Sequence, residues 1–462
     1  MDASFFRSFF SRKAALALFI FVAIVYAASF GIYHTTNDYS RFILSKALCQ
    51  GKLSVETVAV TCWDLSAHAG KIYSRYPPLP SILAAPFYFA GALAFNSGWL
   101  PPIARTEWAV KMGGWFYGYA GSFDDTDLWG FIFSNAAPVL LASAVAAMVF
   151  LVCRRWYGAK AAIVCAAAVA FGSPLWVYSH SMFDVAFSTF FVFLSYYFLL
   201  KNSRLEPSFE LKVGPNEIVL SGLSLGLAVC TRSDALLIAL PLLVLVLSEL
   251  KLPGNLRNLR LHQFSGVGYF LFGLIPPVLA LAAYNSFAFG GPLANGYNFS
   301  CFSNNPKGEL AVMNEAATLV DFSQLMEKAT DLLVAPQRGL FWASPFLLAS
   351  LAGAITLLKK SKRLVLSLFL PLLLLLAFEL TRPAYTILNS GHFGARYLVC
   401  AIPMLALVAG EAYKDKVERI ALLALAAISV VLCAQGVAYL PPGPTLPPEF
   451  NALALRLLFG ST

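Results

Sequence analysis

The sequence predicts an all-α polytopic membrane protein, a bundle of about 11 transmembrane helices with a large external loop near its start. The 462-residue chain is 59% hydrophobic and 12% charged, whereas soluble domains carry about 25% charged residues. Apolar runs of about 20 residues recur along it, each long enough to cross a bilayer as a helix. Lysines and arginines cluster in alternate connections, as expected for cytoplasmic loops.

The composition argues against a nucleic-acid-binding protein. The net charge is +9, yet no basic cluster is interleaved with aromatic residues in a soluble segment. The eight cysteines are scattered, without the C-x-x-C pairs or histidine–cysteine spacing of metal sites. We therefore expect membrane lipids, and no nucleic acid, among the partners.

The first apolar run, 14–33, is predicted to be a retained span with the N-terminus in the cytoplasm. Arg7, Arg12 and Lys13 precede it, and basic residues mark the inner side of a membrane protein. The apolar core of a cleaved signal peptide is shorter, about 7–15 residues, although the small residues Ala27-Ala28-Ser29 leave cleavage as the alternative.

The segment 82–95 is predicted not to cross the membrane. It is short and contains Pro86. The next apolar run, 131–152, ends at a pair of arginines, which is an inner signature, so this run must enter from outside. Residues 82–95 then lie in or near the interface, and 34–130 form one large external loop.

The remaining spans alternate between inner and outer connections, and every inner connection carries several lysines or arginines. This pattern places the C-terminus outside and predicts one membrane-embedded domain in the plasma or inner membrane. The other external parts are a second loop, 288–342, and a tail, 440–462. The further predicted spans are 160–177, 183–200, 216–231, 234–250, 266–287, 343–358, 364–380, 396–412 and 420–438.

The polar residues suited to chemistry lie on the predicted external face, and the span centres are almost free of charge. An ion-coupled carrier usually needs ionisable groups near the midplane, so the pattern favours chemistry at one rim of the bundle. The residues are Asp38, Asp64, Lys71, Arg75, His180, Asp184, Arg232, Asp234, Arg338, His392 and Arg396.

Asp38 follows the first span and precedes residues 39–48, which mix apolar and polar positions at helical spacing. Three roles fit this acid. It solvates the loop, it caps the helix that follows, or it takes a proton from a hydroxyl nucleophile as a general base.

Lys71, Tyr73 and Arg75 lie together in the same loop and are followed by rigid prolines. Basic and aromatic residues of this kind anchor loops at the membrane interface. They are also suited to bind the phosphate of a donor substrate, because lysine and arginine are common phosphate ligands.

Arg338 and Arg396 each stand near a glycine at the outer entrance of a span, where the charge rule does not favour them. Each either reaches out to lipid headgroups or binds an anion. His180 and Asp184 join two spans on the same side. A loop hydrogen bond and a helix cap would explain them as well as contacts to a substrate.

A series of short motifs carries a resemblance that covers most of the chain. In order and in membrane side they resemble those of the membrane-embedded GT-C glycosyltransferases, particularly the bacterial and archaeal lipid-A and oligosaccharide types. The motifs are Asn37-Asp38-Tyr39, Gly70-Lys71-Ile72-Tyr73-Ser74-Arg75-Tyr76-Pro77-Pro78, Ala85-Pro86-Phe87-Tyr88, Ser179-His180-Ser181, Thr231-Arg232-Ser233-Asp234-Ala235, Pro336-Gln337-Arg338-Gly339-Leu340-Phe341 and Phe393-Gly394-Ala395-Arg396-Tyr397-Leu398.

The resemblance implies a GT-C-like bundle whose first external loop holds the catalytic acid and interfacial helices. It also implies a polyprenyl-phosphate-sugar donor, with Asp38 as the general base. Many relatives have Asp-Glu where this chain has Asn37-Asp38, and many have tryptophans where this chain has 385–390. The acceptor, whether glycan, lipid or protein, therefore does not follow from the resemblance.

The resulting hypothesis is inverting transfer of a hexosyl or pentosyl group at the external membrane face of the cell envelope. Asp38 accepts the proton of the acceptor hydroxyl, and basic side chains stabilise the leaving phosphate. A divalent Mg or Mn ion is compatible with this scheme but not required by it. The expected donor-phosphate ligands are Lys71, Tyr73, Arg75, Arg338 and Arg396, and the candidate acceptor or metal contacts are Asp64, His180, Asp184 and His392.

Two other functions share these features. A flippase or transporter for lipid-linked sugars would also hold a lipid chain between its helices, but it would leave the sugar–phosphate bond intact. A lipid-linked polymerase or ligase would also use external arginines, but with a diphosphate donor. Release of polyprenyl phosphate and the choice between monophosphate and diphosphate donors distinguish the three.

Overall fold

The structure is a computed structural model of the chain. The apolar runs form long helices, as their composition predicts. The described residues are 3–29, 36–55, 64–104, 124–205, 209–248, 265–302, 311–313, 320–336, 338–383, 388 and 393–439.

The architecture is a helical bundle of a multi-pass membrane protein, with five 3₁₀ segments among the described residues at Ser233–Ile238, Gly296–Phe299, Pro345–Leu348, Arg396–Ala401 and Gly410–Tyr413. The α-helices in chain order are α1 Ala3–Ala28, α2 Thr36–Cys49, α3 Leu79–Asn96, α4 Asp125–Ser134, α5 Ala136–Tyr157, α6 Ala159–Phe171, α7 Pro174–Tyr178, α8 Asp184–Leu200, α9 Pro215–Val229, α10 Ala239–Ser248, α11 Ser265–Phe289, α12 Leu325–Leu333, α13 Leu340–Ala343, α14 Ala349–Lys360, α15 Lys362–Leu380, α16 Ile402–Ala409 and α17 Lys416–Tyr439.

Helix α5 lies in the middle of the bundle and packs against α1, α6 and α8. Its inward residues are small or β-branched and fully buried, among them Ala142, Val145, Ala146 and Val149. Small side chains let helix backbones approach closely. In a membrane, where the hydrophobic effect does not drive helices together, this close packing is what holds them.

The closest helix crossing joins α9 and α11 through two glycines. A Cβ atom at Gly222 would lie 2.0 Å from the Phe270 carbonyl oxygen, and one at Gly273 would lie 2.0 Å from the Val219 carbonyl oxygen. Only glycine fits at either position, because the neighbouring atoms belong to the backbone and cannot rotate away.

Each predicted span is mostly helical over the residues that the structure describes. Six continuous helical stretches in the described part of the chain are long and apolar enough to cross a membrane. The number that does cross stays a prediction. One of the six is α3, which corresponds to the predicted interfacial segment 82–95. It begins directly after Pro78, where proline is well tolerated, and it packs against α2 and α4.

A small antiparallel sheet joins two distant parts of the chain. Strands β1 (Leu65–His68) and β2 (Lys71–Ser74) form a hairpin, and β1 also pairs with β3 (Ser300–Phe302), which pairs with β4 (Ala311–Met313). The two turn residues, Ala69 and Gly70, both have positive φ, 48° and 71°, as a tight hairpin turn requires.

The sheet brings two stretches of the chain together at one end of the bundle, which we call the site end. We name the stretch 29–124 the first long connection and the stretch 290–339 the second. Whether α3, within the first stretch, crosses the membrane stays a prediction. Basic residues gather at the opposite end. There Arg155 donates to the Ser203 carbonyl at 2.8 Å, and Lys201 lies 3.4 Å from Glu217. Which end faces the cytoplasm stays a prediction.

Candidate active site

Helix α2 presents Asp38 to the bundle because its apolar face is fixed on two other helices. Phe42, which is fully buried, packs on Tyr88 of α3 with ring centroids 5.7 Å apart. It packs on Phe131 of α4 at 5.2 Å. An aromatic cluster of this kind fixes the rotation of α2, and that rotation turns Asp38 inward.

The Asp38 carboxylate is buried, with 1% of the residue exposed. Its Oδ1 atom accepts a hydrogen bond from the Ser181 hydroxyl at 2.7 Å and another from the Met182 backbone N–H at 2.6 Å. Two donors and the positive N-terminal end of α2 stabilise the negative charge. The helix begins at Thr36, so Asp38 lies inside its first turn and is not its cap.

The loop that holds Asp38, residues 179–183, is itself rigid. The Ser179 hydroxyl donates to the Trp176 carbonyl at 2.7 Å, and the Phe183 N–H donates to the Ser181 hydroxyl oxygen at 3.2 Å. Met182 is fully buried in an apolar cluster with Phe187. The two donors are therefore in place before any substrate arrives.

Arg41 lies one turn after Asp38 on α2 and is almost completely buried. Its guanidinium stacks over the Tyr76 ring at 4.0 Å and lies 3.8 Å from Asp184. It donates to the side-chain oxygen of Asn37, whose amide nitrogen donates to the Tyr76 hydroxyl. Asn37, which stands where many relatives carry an acid, thus joins α2 to the first long connection.

Tyr76 and Asp64 extend this network through the first long connection. The Tyr76 hydroxyl donates to Asp64 at 2.5 Å. Burial raises the pKa of Tyr76 well above its usual value, and the charge of Asp64 adds to the shift, so the phenol stays protonated and acts as a donor. Arg75 lies 3.9 Å from Asp64 and stacks on Tyr297 of the second long connection at 4.3 Å.

Asp184 is the first residue of α8 and joins two arginines. It lies 3.8 Å from Arg41 and 3.5 Å from Arg232. Arg232 also donates to Asp234 and lies 3.9 Å from Glu379. A helix-cap role for Asp184 was one of the interpretations of the sequence. In the structure the N-cap residue is Phe183, and the Asp184 carboxylate forms these ion pairs instead.

Tyr397 stands between two further arginines. The Arg382 guanidinium lies 4.6 Å from the centre of its ring and that of Arg396 lies 4.4 Å away. Arg396 donates to the Tyr397 hydroxyl, and Arg382 lies 3.1 Å from Glu379. Stacking on aromatic faces holds guanidinium groups close together in spite of their like charge.

Arg396 differs from its neighbours because no carboxylate of the described residues lies within ion-pair distance of it. Its Nε atom is buried and has no hydrogen-bond acceptor there. The guanidinium also lies 5.2 Å from the centre of the Phe183 ring, next to the residue that binds Asp38. A buried cation in this state is suited to receive an anion from a ligand.

The structure gathers several of the residues that the sequence singled out and separates others. Asp38, Asp64, Arg75, Asp184 and Arg396 share the network at the site end. His180 is buried in the loop beside Asp38.

Lys71 is exposed beside the hairpin turn, opposite His68, about 13 Å along the chain from Arg75 at the usual strand rise. Tyr73 packs on Phe289 at 5.7 Å. Arg338 is paired with Asp331 at 2.8 Å. His392 and the tail 440–462 lie outside the described residues.

Sequence reasoning did not select Arg41, Arg382 or Tyr397 for the site. A signal existed for Arg41, because a residue three positions after Asp38 lies on the same face of a helix. A weaker one existed for Arg382, since it follows Glu379 by three residues at the end of an apolar run. Nothing in the sequence placed the Tyr397 ring between two arginines.

Within the described ranges, no group of three or more His, Cys, Asp or Glu side chains could hold a metal ion. The carboxylates of Asp64, Asp184, Asp234 and Glu379 instead lie within ion-pair distance of arginines. The Mg or Mn ion considered from the sequence stays a prediction, and no step is assigned to it.

Solved structures with a similar fold include ArnT from Cupriavidus metallidurans bound to undecaprenyl phosphate. It has a TM-score of 0.50 and 16% identity over 90% of this chain and 63% of that chain. Apo ArnT from the same organism gives 0.49 and 16% identity, over 91% and 64%. This chain thus spans less than two thirds of the ArnT chain.

The archaeal oligosaccharyltransferase AglB from Archaeoglobus fulgidus, in complex with an inhibitory peptide and a dolichol-phosphate, gives a TM-score of 0.48 and 13% identity, over 97% of this chain and 58% of that chain. No family model matches the sequence, and no curated protein matches it significantly. The likeness to ArnT concerns the fold, and it confirms at that level the resemblance to GT-C enzymes noted in the sequence.

Proposed function

We propose that this protein transfers a sugar, with inversion, from a polyprenyl-phosphate donor to an acceptor hydroxyl at the site end of the bundle. The observation that carries the proposal is the presence of two buried groups, the Asp38 carboxylate and the Nε atom of Arg396, against the same loop. The carboxylate of Asp38 is held by two directed hydrogen bonds. Arg396, which lies next to the same loop, lacks a carboxylate partner among the described residues.

Asp38 acts as the general base in this proposal. Its carboxylate accepts the proton of the acceptor hydroxyl as that oxygen attacks the anomeric carbon. The bond between the anomeric carbon and the phosphate oxygen breaks, and its electron pair goes to the phosphate. Ser181 and Met182 hold Oδ1 in place, so the carboxylate needs no reorientation during the reaction.

Arg396 and Arg382 stabilise the charge that develops on the leaving phosphate. Both lie against Tyr397, which keeps the two cations on one side of the site. Such groups accelerate a reaction when they interact more strongly with the transition state than with the bound substrate. Arg232 has several carboxylate partners, so its role is to hold the network together.

The other residues expected from the sequence contact the donor, support the site or are candidates for contacts to the acceptor. Lys71 extends from the exposed hairpin turn and meets the donor as it enters from the membrane. Arg75 and Tyr73 support that hairpin, and Arg338 acts mainly through its pair with Asp331. Asp64, His180, Asp184 and His392 are the side chains to test for contacts to the acceptor.

The fold supports a lipid-phosphate donor, since ArnT shares it and was crystallised with undecaprenyl phosphate. We place the site end on the external face of the plasma or inner membrane and the N-terminus in the cytoplasm, because the basic residues gather at the opposite end. Turnover of hexose and pentose donors, measured side by side, identifies the class of sugar.

The test uses the full chain purified in lipid nanodiscs and a panel of polyprenyl monophosphate and diphosphate sugars. We expect release of polyprenyl phosphate from a monophosphate donor when an acceptor is present. Movement of the donor across the bilayer without cleavage would establish a flippase instead. Turnover of diphosphate donors alone would establish a polymerase or ligase.

A further inference from the structure

Lys328 is a fully buried lysine far from the charge network in sequence. It lies on α12 in the second long connection, and 0% of the residue is exposed. Its ammonium donates to the carbonyl oxygens of Asp321 at 2.7 Å, Arg382 at 2.8 Å and Leu380 at 3.1 Å. A lysine ammonium has three N–H donors, and these three carbonyls match them one to one.

Two of these carbonyls lie at the C-terminal end of α15 or just past it, since Leu380 is its last residue and Arg382 follows two positions later. Carbonyls at the end of a helix have no partner within the helix. The one between them, that of Thr381, accepts the Asp321 backbone N–H at 2.6 Å. Three successive carbonyls, 380 to 382, are therefore bound by residues of a different segment, which acts as a cap supplied by the second long connection.

The cap is stable in spite of the buried charge. The three carbonyls replace the water that an ammonium would lose on burial. The negative end of the α15 dipole also attracts the cation, and the Asp321 carboxylate lies 3.5 Å from it. A helix end at the surface needs no such arrangement, because water satisfies its carbonyls.

The residue fixed by this cap is Arg382. Its carbonyl is bound by Lys328, and its side chain lies against Tyr397 and pairs with Glu379. We infer that Lys328 is a positioning residue, which places the Arg382 guanidinium against Tyr397 for the departing phosphate. The inference rests on the proposed transfer reaction and extends it to a residue that never contacts the substrate.

The experiment compares full-length variants in nanodiscs with the monophosphate donor. Lys328→Met removes the three donors at similar side-chain volume, and Arg382→Gln removes the guanidinium. We expect kcat to fall about 10-fold or more in Lys328→Met, since misplacing a catalytic group by about 1 Å costs up to about 100-fold. The KM for the donor should change less than kcat.

A double variant separates positioning from general damage. If Lys328 acts through Arg382, Lys328→Met should reduce kcat by less than about 2-fold in the Arg382→Gln background, because coupled residues are not additive. Hydrogen exchange should rise in the peptide that covers 376–388. Lys328→Arg, which keeps charge and donors, should recover part of the rate.

The matched control is Lys360→Met. Lys360 also binds a buried carboxylate, Glu411 at 2.8 Å, but it lies near the other end of α15, about 28 Å away for a helix of this length. The Lys360→Met variant should have a lower melting temperature, but its kcat and the hydrogen exchange of the 376–388 peptide should not change.

Absence of turnover by the wild-type protein with every donor overturns the proposed function. Wild-type turnover together with an unchanged kcat in Lys328→Met overturns only the positioning role. If the kcat reduction in the double variant equals the product of the two single reductions, the positioning role is also overturned, because Lys328 would then not act through Arg382.

Discussion

The carboxylate of Asp38 accepts a hydrogen bond from the backbone N–H of Met182, which lies 144 residues further along the chain, at 2.6 Å. The bond joins the first turn of α2 to the loop before α8. Because every substitution except proline keeps the backbone N–H, the orientation of the acid depends on the fit between these two segments.

Replacing Asp38 by Asn should reduce transfer by about 10²- to 10⁴-fold, the usual contribution of a general base. The asparagine oxygen still accepts from Ser181 and Met182, so the melting temperature should stay near that of the wild type. Release of polyprenyl phosphate from a labelled donor measures the rate. Asp415→Asn, at the opposite end and exposed, is the control. Near-normal turnover in the Asp38 variant would refute the assignment of the base.

Replacing Ser181 by Ala should slow transfer by a smaller factor, about 5- to 15-fold, because it removes one hydrogen bond of about 1 to 1.5 kcal/mol and leaves the Met182 bond in place. The kcat of the purified variant measures the effect. Ser143→Ala, which removes a buried hydroxyl bound to the Val139 carbonyl within α5, is the matched control and should keep its rate. Equal losses in both variants would contradict a specific role for Ser181.

Replacing Arg396 by Gln should reduce kcat by about 100-fold, as removal of one preorganised charge donor does elsewhere. Binding of polyprenyl phosphate as an inhibitor should also weaken, since the product carries the same phosphate. Arg419, which lies 5.5 Å from the Tyr413 ring at the opposite end, offers the control Arg419→Gln. If phosphate inhibition is unchanged in the Arg396 variant, this arginine does not bind the donor.

Replacing Asp184 by Asn should lower the stability of the site end by about 1 to 3 kcal/mol, because Arg41 and Arg232 would both lose a partner while remaining buried. Asp184 itself is only 21% exposed. A fall in melting temperature in the same detergent measures this. The control is Glu210→Gln, whose pair with Lys212 is 54% exposed on both sides and should contribute almost nothing.

Replacing Gly273 by Ala should destabilise the α9–α11 crossing by about 1 to 3 kcal/mol, because the added methyl group meets backbone that must move. Gly268 lies on the same helix, and an added Cβ there meets nothing within 4 Å. Gly268→Ala should be neutral or stabilising by about 1 kcal/mol. Thermal unfolding of the two variants side by side is the measurement. Equal melting temperatures would contradict the close crossing.

The helices could be predicted from the sequence because hydropathy and length determine them almost independently of their neighbours. Asp38 and Arg396 could be selected for a related reason. Arg396 is an arginine at the predicted outer end of a span, which departs from the positive-inside rule, and Asp38 is an isolated acid close after an apolar run. The 3₁₀ start of the 396–412 span was not visible, since no short sequence pattern distinguishes it from the first turn of an α-helix.

The partners of these residues could not be predicted in the same way. Arg382 and Tyr397 meet because two helix ends converge, and their positions in the chain carry no trace of that. Lys328 reads in the sequence as an ordinary lysine of a polar loop. Its burial depends on three carbonyls that only the folded chain brings together.

The sheet that joins the two long connections also determines when the site can form during synthesis. Ser66 of β1 donates to the Gly296 carbonyl, a residue 230 positions later. At about 5 to 20 residues per second, β1 waits roughly 10 to 50 seconds for its partner to leave the ribosome. Until then β1 is paired with β2 alone. Helices α1 to α11 therefore leave the ribosome before the sheet can form.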